Sequence, residues 1–171
     1  MARRIPIDSS ACGFTLIEMI VALVIAGVLA TIGARVMSSG FSTYFVGREL
    51  ARDAIQGTLA LERMTRDLRS IRSATAADLP TMTATTISFV DANGNTNTYA
   101  LAAGSVTYSL NGGAAQPLAD NVSNLTFTYL QNDGQTGAGV ATSVAYIAAA
   151  ITVTTQSFNA TFRGTVKPAN F

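Results

Sequence analysis

Histidine is absent from the 171 residues, and cysteine occurs once, at Cys12. Without histidine the chain cannot build a Ser-His-Asp or Cys-His catalytic set, a histidine general base or nearly any zinc constellation. A single thiol forms no internal disulfide, and no second one exists for a metal cluster. Charge is scarce: charged residues make up 12% of the chain against 49% apolar, with eleven Lys and Arg, ten Asp and Glu, and a net charge of +1. With neither a basic tail nor an acidic block, such a chain exerts no global pull on nucleic acid, and no nucleic-acid contact is expected. Walker and dinucleotide glycine motifs are missing too. No enzyme activity and no cofactor are therefore expected. The length allows one ordinary domain plus an appendage.

What is present is unevenly distributed. Phe14 to Ala34 reads FTLIEMIVALVIAGVLATIGA, and its one charge is Glu18. At about 1.5 Å per residue a helix of this length spans roughly 31 Å, enough to cross a bilayer. Thirteen residues precede it, with Arg3 and Arg4 as a cationic flank that tends to stay cytoplasmic, which predicts an extracytoplasmic C-terminal side. Lipid anchoring at Cys12 is disfavoured, because no apolar stretch comes before it and Ser9-Ser10-Ala11 lacks the expected leucine.

Gly13-Phe14-Thr15-Leu16-Ile17-Glu18, with a short basic segment before it and an apolar helix after it, resembles the processing site of type IV prepilins and type II secretion pseudopilins. The resemblance implies several things. Residues 1–13 would be a leader peptide, cut off after Gly13 by a membrane-embedded prepilin peptidase that then methylates the new amino terminus at Phe14. The subunit would sit in the bacterial inner membrane as a single-pass protein. An assembly platform with its ATPase would then extract it into a filament, in contact with other pilin or pseudopilin subunits. Glu18 would pair with the terminal amine of a neighbouring subunit and set register.

Glu18 also stands out without the resemblance. An intramembrane carboxylate costs about 2.5 kcal/mol or more unless paired, so it usually marks function. The alternative is a side chain near the helix end that snorkels to the headgroups. Ala22, Ala26, Ala30 and Ala34 recur every four residues and predict a narrow ridge for close helix packing. Alanine is also common in any membrane helix, so the ridge by itself does not require a partner.

The helix is expected to continue as an amphipathic segment over 35–77. Leu50, Ala54, Gly57, Leu61, Met64, Leu68 and Ile71 alternate spacings of four and three, while Asp53, Arg63, Arg66, Asp67 and other charges fall on other faces. Glu62 with Arg66 and Arg63 with Asp67 are i,i+4 pairs worth a few tenths of a kcal/mol. Six arginines between 48 and 72 are interleaved with four carboxylates and no aromatic residue, which predicts a solvated helix face and not a DNA-binding one. Glycines at 40 and 47 predict bending or local melting near 38–47, and Pro80 sets the outer limit of the helix.

Residues 81–171 hold five charges and read as β-rich. Ile87 and Phe89 face Tyr99 and Leu101 across an Asn93-Gly94 turn. Further strands are expected at Val106–Leu110, Leu125–Tyr129, Tyr146–Thr155 and Ala160–Val166, with a polar loop over 131–139. The fold class is thus α+β, a long N-terminal helix packed on an antiparallel β-sheet domain. Leu61–Arg69, Asp120-Asn121-Val122, Leu125–Tyr129 and the ending Val166-Lys167-Pro168-Ala169-Asn170 are similar to the minor pilin and J-type pseudopilin branch, although relatives often end in Arg-Asn.

Candidate metal chemistry is thin. Asp91-Ala92-Asn93-Gly94-Asn95 opens like a calcium loop, but Thr96 stands where glycine is required and Ala102 where glutamate is, so a hairpin turn is expected. Asp133 in Gln131-Asn132-Asp133-Gly134 could ligate calcium with neighbouring carbonyls, but a polar loop with one acid is more often just a loop. Asp120 is expected to cap a turn or pair with Arg163. Three readings remain: a minor pilin, a type II secretion pseudopilus tip component, and a membrane-anchored extracytoplasmic binding module.

Overall fold

The computed structural model describes residues 14–155 and 158–171. Among the described residues one α-helix, α1 (Leu16–Arg69), is followed by eight strands, β1 (Thr81–Met82), β2 (Thr86–Val90), β3 (Thr96–Ala102), β4 (Ser105–Leu110), β5 (Gln116–Ala119), β6 (Val122–Leu130), β7 (Tyr146–Thr155) and β8 (Phe158–Val166), with a short 3-10 turn at Ala141–Ser143 before β7. The leader 1–13 lies outside the described residues. The chain divides into two compact units, one ending at Val46 and the other Gly47–Phe171.

In the first unit every large apolar side chain of α1 is exposed, among them Leu23, Ile25, Leu29, Phe41 and Tyr44. Of the bending or local melting expected over 38–47, the melting does not occur, and these residues are helical. A break would orphan backbone groups at two new helix ends, whereas each glycine costs only about 1 kcal/mol. The hydroxyls of Ser42 and Thr43 turn back onto the carbonyls of Ser38 and Ser39, both at 3.0 Å, and so do not compete from outside the helix.

In the second unit the arrangement is α+β and type IV pilin-like. Gly57, Leu61, Met64 and Leu68 are buried as the four-three spacing predicts, and Leu50 and Ala54 are half-buried. Strands β1 to β5 form one antiparallel sheet in sequence order, and β6 to β8 form a second. The strands therefore make two sheets where the sequence suggested one. Isolated bonds join the two: Phe127 N–H donates to Ala84 O at 2.7 Å and Val122 N–H to Gly104 O at 2.8 Å. Strands β1 and β5 escaped the sequence reading because one has two residues and the other carries Pro117, which is confined to sheet edges. The β3–β4 turn also lacked a signal, since Ala103 takes the positive φ of 49° that asparagine or glycine usually supplies there.

Glycines set how closely helix and sheet approach. A Cβ at Gly164 of β8 would lie 2.8 Å from Thr65 Cγ2, and one at Gly57 would lie 3.0 Å from Val153 Cγ2. Around this contact Tyr99, Phe89, Met64, Leu68, Ile87, Leu125, Ile147 and Ile151 are fully buried. Asp53, expected on a solvated face, is buried and accepts a hydrogen bond from Asn121 Nδ2 at 2.9 Å, because the β5–β6 turn folds over it. The expected Glu62–Arg66 pair is not among the ion pairs of the described residues, whereas Arg63 Nε lies 3.7 Å from Asp67 Oδ2.

The helix stops at Arg69, short of residue 77. Ser70 N–H and Oγ turn back onto the Asp67 carbonyl, and Ile71 leaves the helix to bridge Asp91. The carboxyl-terminal tail caps this end. Ala169 N–H donates to Arg69 O at 3.1 Å and Asn170 Nδ2 to Ile71 O at 3.0 Å, satisfying carbonyls that a helix end leaves orphaned. The loop that follows is closed by Arg72 and Ser73, which both bond the Asp78 carboxylate. These bonds hold the Asp78 pKa below its ordinary value.

Three outcomes are expected. Leu68→Ala in the fragment 47–171 costs about 2–5 kcal/mol in urea unfolding, and an unchanged midpoint contradicts the helix–sheet contact. Gly164→Ala costs about 1–3 kcal/mol by overpacking, and Thr65→Ser, which deletes the opposing methyl, recovers part of it. Because Asp78 is depressed, its contribution is complete above the unfolded carboxylate pKa of about 3.9 and fades as pH falls through the lower folded value. The stability gap between parent and Asp78→Asn should therefore be widest near neutrality and narrow as pH falls below about 4. A gap that stays constant over that range contradicts the assignment.

Candidate assembly site on the amino-terminal helix

The helix begins with a reciprocal cap. Glu18 N–H donates to Thr15 Oγ1, and Thr15 N–H and Oγ1 donate to Glu18 Oε2, each at 3.3 Å. Thr15 stands at the N-cap and Glu18 three residues on, which is the capping-box spacing. A carboxylate in the first turn also complements the partial positive charge of the helix start. The sequence reading missed this role for Glu18, although Thr-x-x-Glu before an apolar run is a legible signal.

Phe14 is 83% exposed next to the cap, and Gly13 lies outside the described residues. Ala22, Ala26, Ala30 and Ala34 are all exposed within α1. Their spacing puts them on neighbouring turns of one helix side. Leu16, Ile17, Ile20, Val21, Leu23 and Val24 surround them, between 50% and 79% exposed. The helix is long and apolar enough to cross a membrane, with a mean hydropathy of 2.5 in its most apolar stretch. Chemically this is an adhesive rod: an apolar surface, a small-residue ridge and one carboxylate at the end.

The acidic candidates of the β region are used locally. Asp91 Oδ1 accepts from Asn93 and Asn95 N–H, both at 2.9 Å, so the segment is a hairpin turn. Burial works against the Asp91 charge, but these N–H groups and the Asn95 and Asn97 amides outweigh it and leave the pKa lowered. Asp133 accepts from the Thr136 hydroxyl and from Gln135 and Thr136 N–H, which hold its pKa below the ordinary value. Asp120 accepts from Ser105 Oγ of β4 at 2.8 Å, a bond to a strand and not a turn cap, and an Asp120–Arg163 pair is not among the ion pairs of the described residues. Among the described residues no cluster of three or more His, Cys, Asp or Glu is placed to hold a metal ion.

Residues 8–34 match the model of the prokaryotic N-terminal methylation motif. The match covers Gly13, Phe14, Glu18 and the whole alanine ridge. No curated protein matches the chain. The motif is that of structural pilin subunits and implies assembly with other pilin subunits and handling by prepilin peptidase. In its amino-terminal motif, in the one long apolar helix among the described residues and in its α+β arrangement, the chain is similar to type IV prepilins and pseudopilins.

Proposed function

We propose that the protein is a minor subunit, pilin or pseudopilin, of an extracytoplasmic type IV pilus-like filament. The match of residues 8–34 to the methylation motif carries this reading. In it, residues 1–13 are the leader, 14–34 the membrane and filament-core helix, 35 to Arg69 its extracytoplasmic continuation and 81–171 the head. Prepilin peptidase cuts after Gly13 and methylates Phe14. Arg3 and Arg4 hold the amino terminus in the cytoplasm, so the head lies outside the inner membrane. An inner-membrane platform with its ATPase draws the subunit out. Assembly buries the exposed helix against those of other subunits, and Ala22, Ala26, Ala30 and Ala34 admit close backbone approach.

Glu18 has two roles in sequence. In the free subunit it completes the Thr15 cap. In the filament it pairs with the methylated amine of a neighbour's Phe14, which relieves the cost of a lone charge among apolar helices. A type II secretion pseudopilus tip component is the second reading, supported by the likeness of Leu61–Arg69 and Leu125–Tyr129 to the J-type branch.

Glu18→Ala separates insertion from assembly. Membrane abundance should equal that of the parent, because an intramembrane charge is removed. Cleavage after Gly13 should persist, while recovery in sheared filaments or with partner subunits falls by about tenfold or more. Equal incorporation of parent and variant contradicts the pairing and favours a plain membrane anchor.

A further inference from the structure

The apolar surface of α1 does not stop at Ala34. Val36, Met37, Phe41, Tyr44, Phe45 and Val46 are all exposed on the turns that follow. Gly40 leaves an open apolar groove between Met37, Phe41 and Tyr44, of a shape that an acyl chain fills. Two hydroxyls in this stretch are satisfied by the helix itself: Ser42 Oγ donates to Ser38 O and Thr43 Oγ1 to Ser39 O, both at 3.0 Å. Hydroxyls bonded in this way need no water partner, as polar groups at apolar depth require.

Length identifies what covers this surface. A helix from Phe14 to Val46 rises roughly 49 Å, and at the usual tilt of about 20° it projects about 46 Å along the membrane normal. The hydrocarbon core of a bilayer is about 30 Å thick, and the bilayer with both headgroup layers about 40–45 Å. The apolar stretch therefore matches the whole bilayer and overshoots its core. The chemistry of the far end agrees. The Tyr44 and Phe45 rings meet edge to face at 5.9 Å between centroids, and amphipathic aromatic rings gather at the headgroup level. Arg48, Glu49 and Arg52 follow at once, charges that an acyl layer does not accept. Arg35, the one charge between Glu18 and Arg48, has a stem long enough to snorkel outward.

We propose that residues 36–46 are a lipid-interface segment. In the free subunit Phe41, Tyr44 and Phe45 sit in the outer headgroup layer, and the membrane contact of α1 runs from Phe14 to Val46. This inference rests on the reading of α1 as a membrane-spanning helix and moves its outer boundary beyond Ala34. It also puts Glu18 about 6 Å from the inner end of the span, at the edge of the inner headgroup layer, where its charge is tolerated until assembly.

The chain contains no tryptophan, so single substitutions report depth without background. Full-length protein carrying Ile25→Trp, Phe41→Trp, Tyr44→Trp or Leu59→Trp is reconstituted in phosphatidylcholine and phosphatidylglycerol vesicles, at a lipid excess that isolates each subunit. The lipid carries a nitroxide quencher either at its headgroup or at the middle of its acyl chain. Ile25→Trp should be quenched best by the mid-chain label. Phe41→Trp and Tyr44→Trp should be quenched best by the headgroup label, about threefold or more above Leu59→Trp. Quenching of Phe41→Trp and Tyr44→Trp no stronger than that of Leu59→Trp overturns the proposal, since the segment then stands clear of lipid and is left for another subunit to cover. Stronger quenching of both by the mid-chain label overturns it as well. Loss of quenching at Ile25→Trp contradicts instead the membrane-spanning reading on which the proposal rests.

Discussion

From Phe14 to Val46 the helix presents apolar side chains to its surroundings, and this surface constrains the rest of the molecule. Apolar area left in water forgoes about 25 cal/mol per Å², so a stretch this long requires lipid or other helices. The sequence is arranged accordingly. From Phe14 onward, charges are confined to Glu18 and Arg35 until Arg48, after which they become frequent on the helix and then nearly vanish from the strands. One helix thus serves two surroundings, apolar in its first part and a sheet-covering stripe in its last.

The second contact tolerates little variation. Gly57 and Gly164 allow α1 to approach β7 and β8 more closely than any side chain would permit, so Leu61 and Met64 fill the space between. The tail then locks the helix end through Ala169 and Asn170.

Much of this was legible in the sequence because it rests on period and punctuation. The apolar run, the four-three stripe through Leu61 and Leu68, and the Asn93-Gly94 hairpin are local patterns with strong physical causes. The parts that were not legible depend on tertiary contacts. Nothing in the chain order announces that Asp53 meets Asn121, that Tyr99 finds Asp67, or that Ala103 accepts a left-handed turn. The helix end at Arg69 likewise depends on a tail distant in sequence, and the second sheet on how β6 leaves β5. At the amino terminus the carboxylate of Glu18 was legible, while its partner Thr15 was overlooked although the spacing was in plain view.

The central claim is that the apolar helix is delivered as the free amino terminus of a processed subunit. Intact-mass measurement of the protein, extracted from membranes of a host with prepilin peptidase, tests it most directly. The account predicts a chain that begins at Phe14, carries one added methyl group and contains no cysteine. A mass that begins at Met1 or at Cys12 contradicts it.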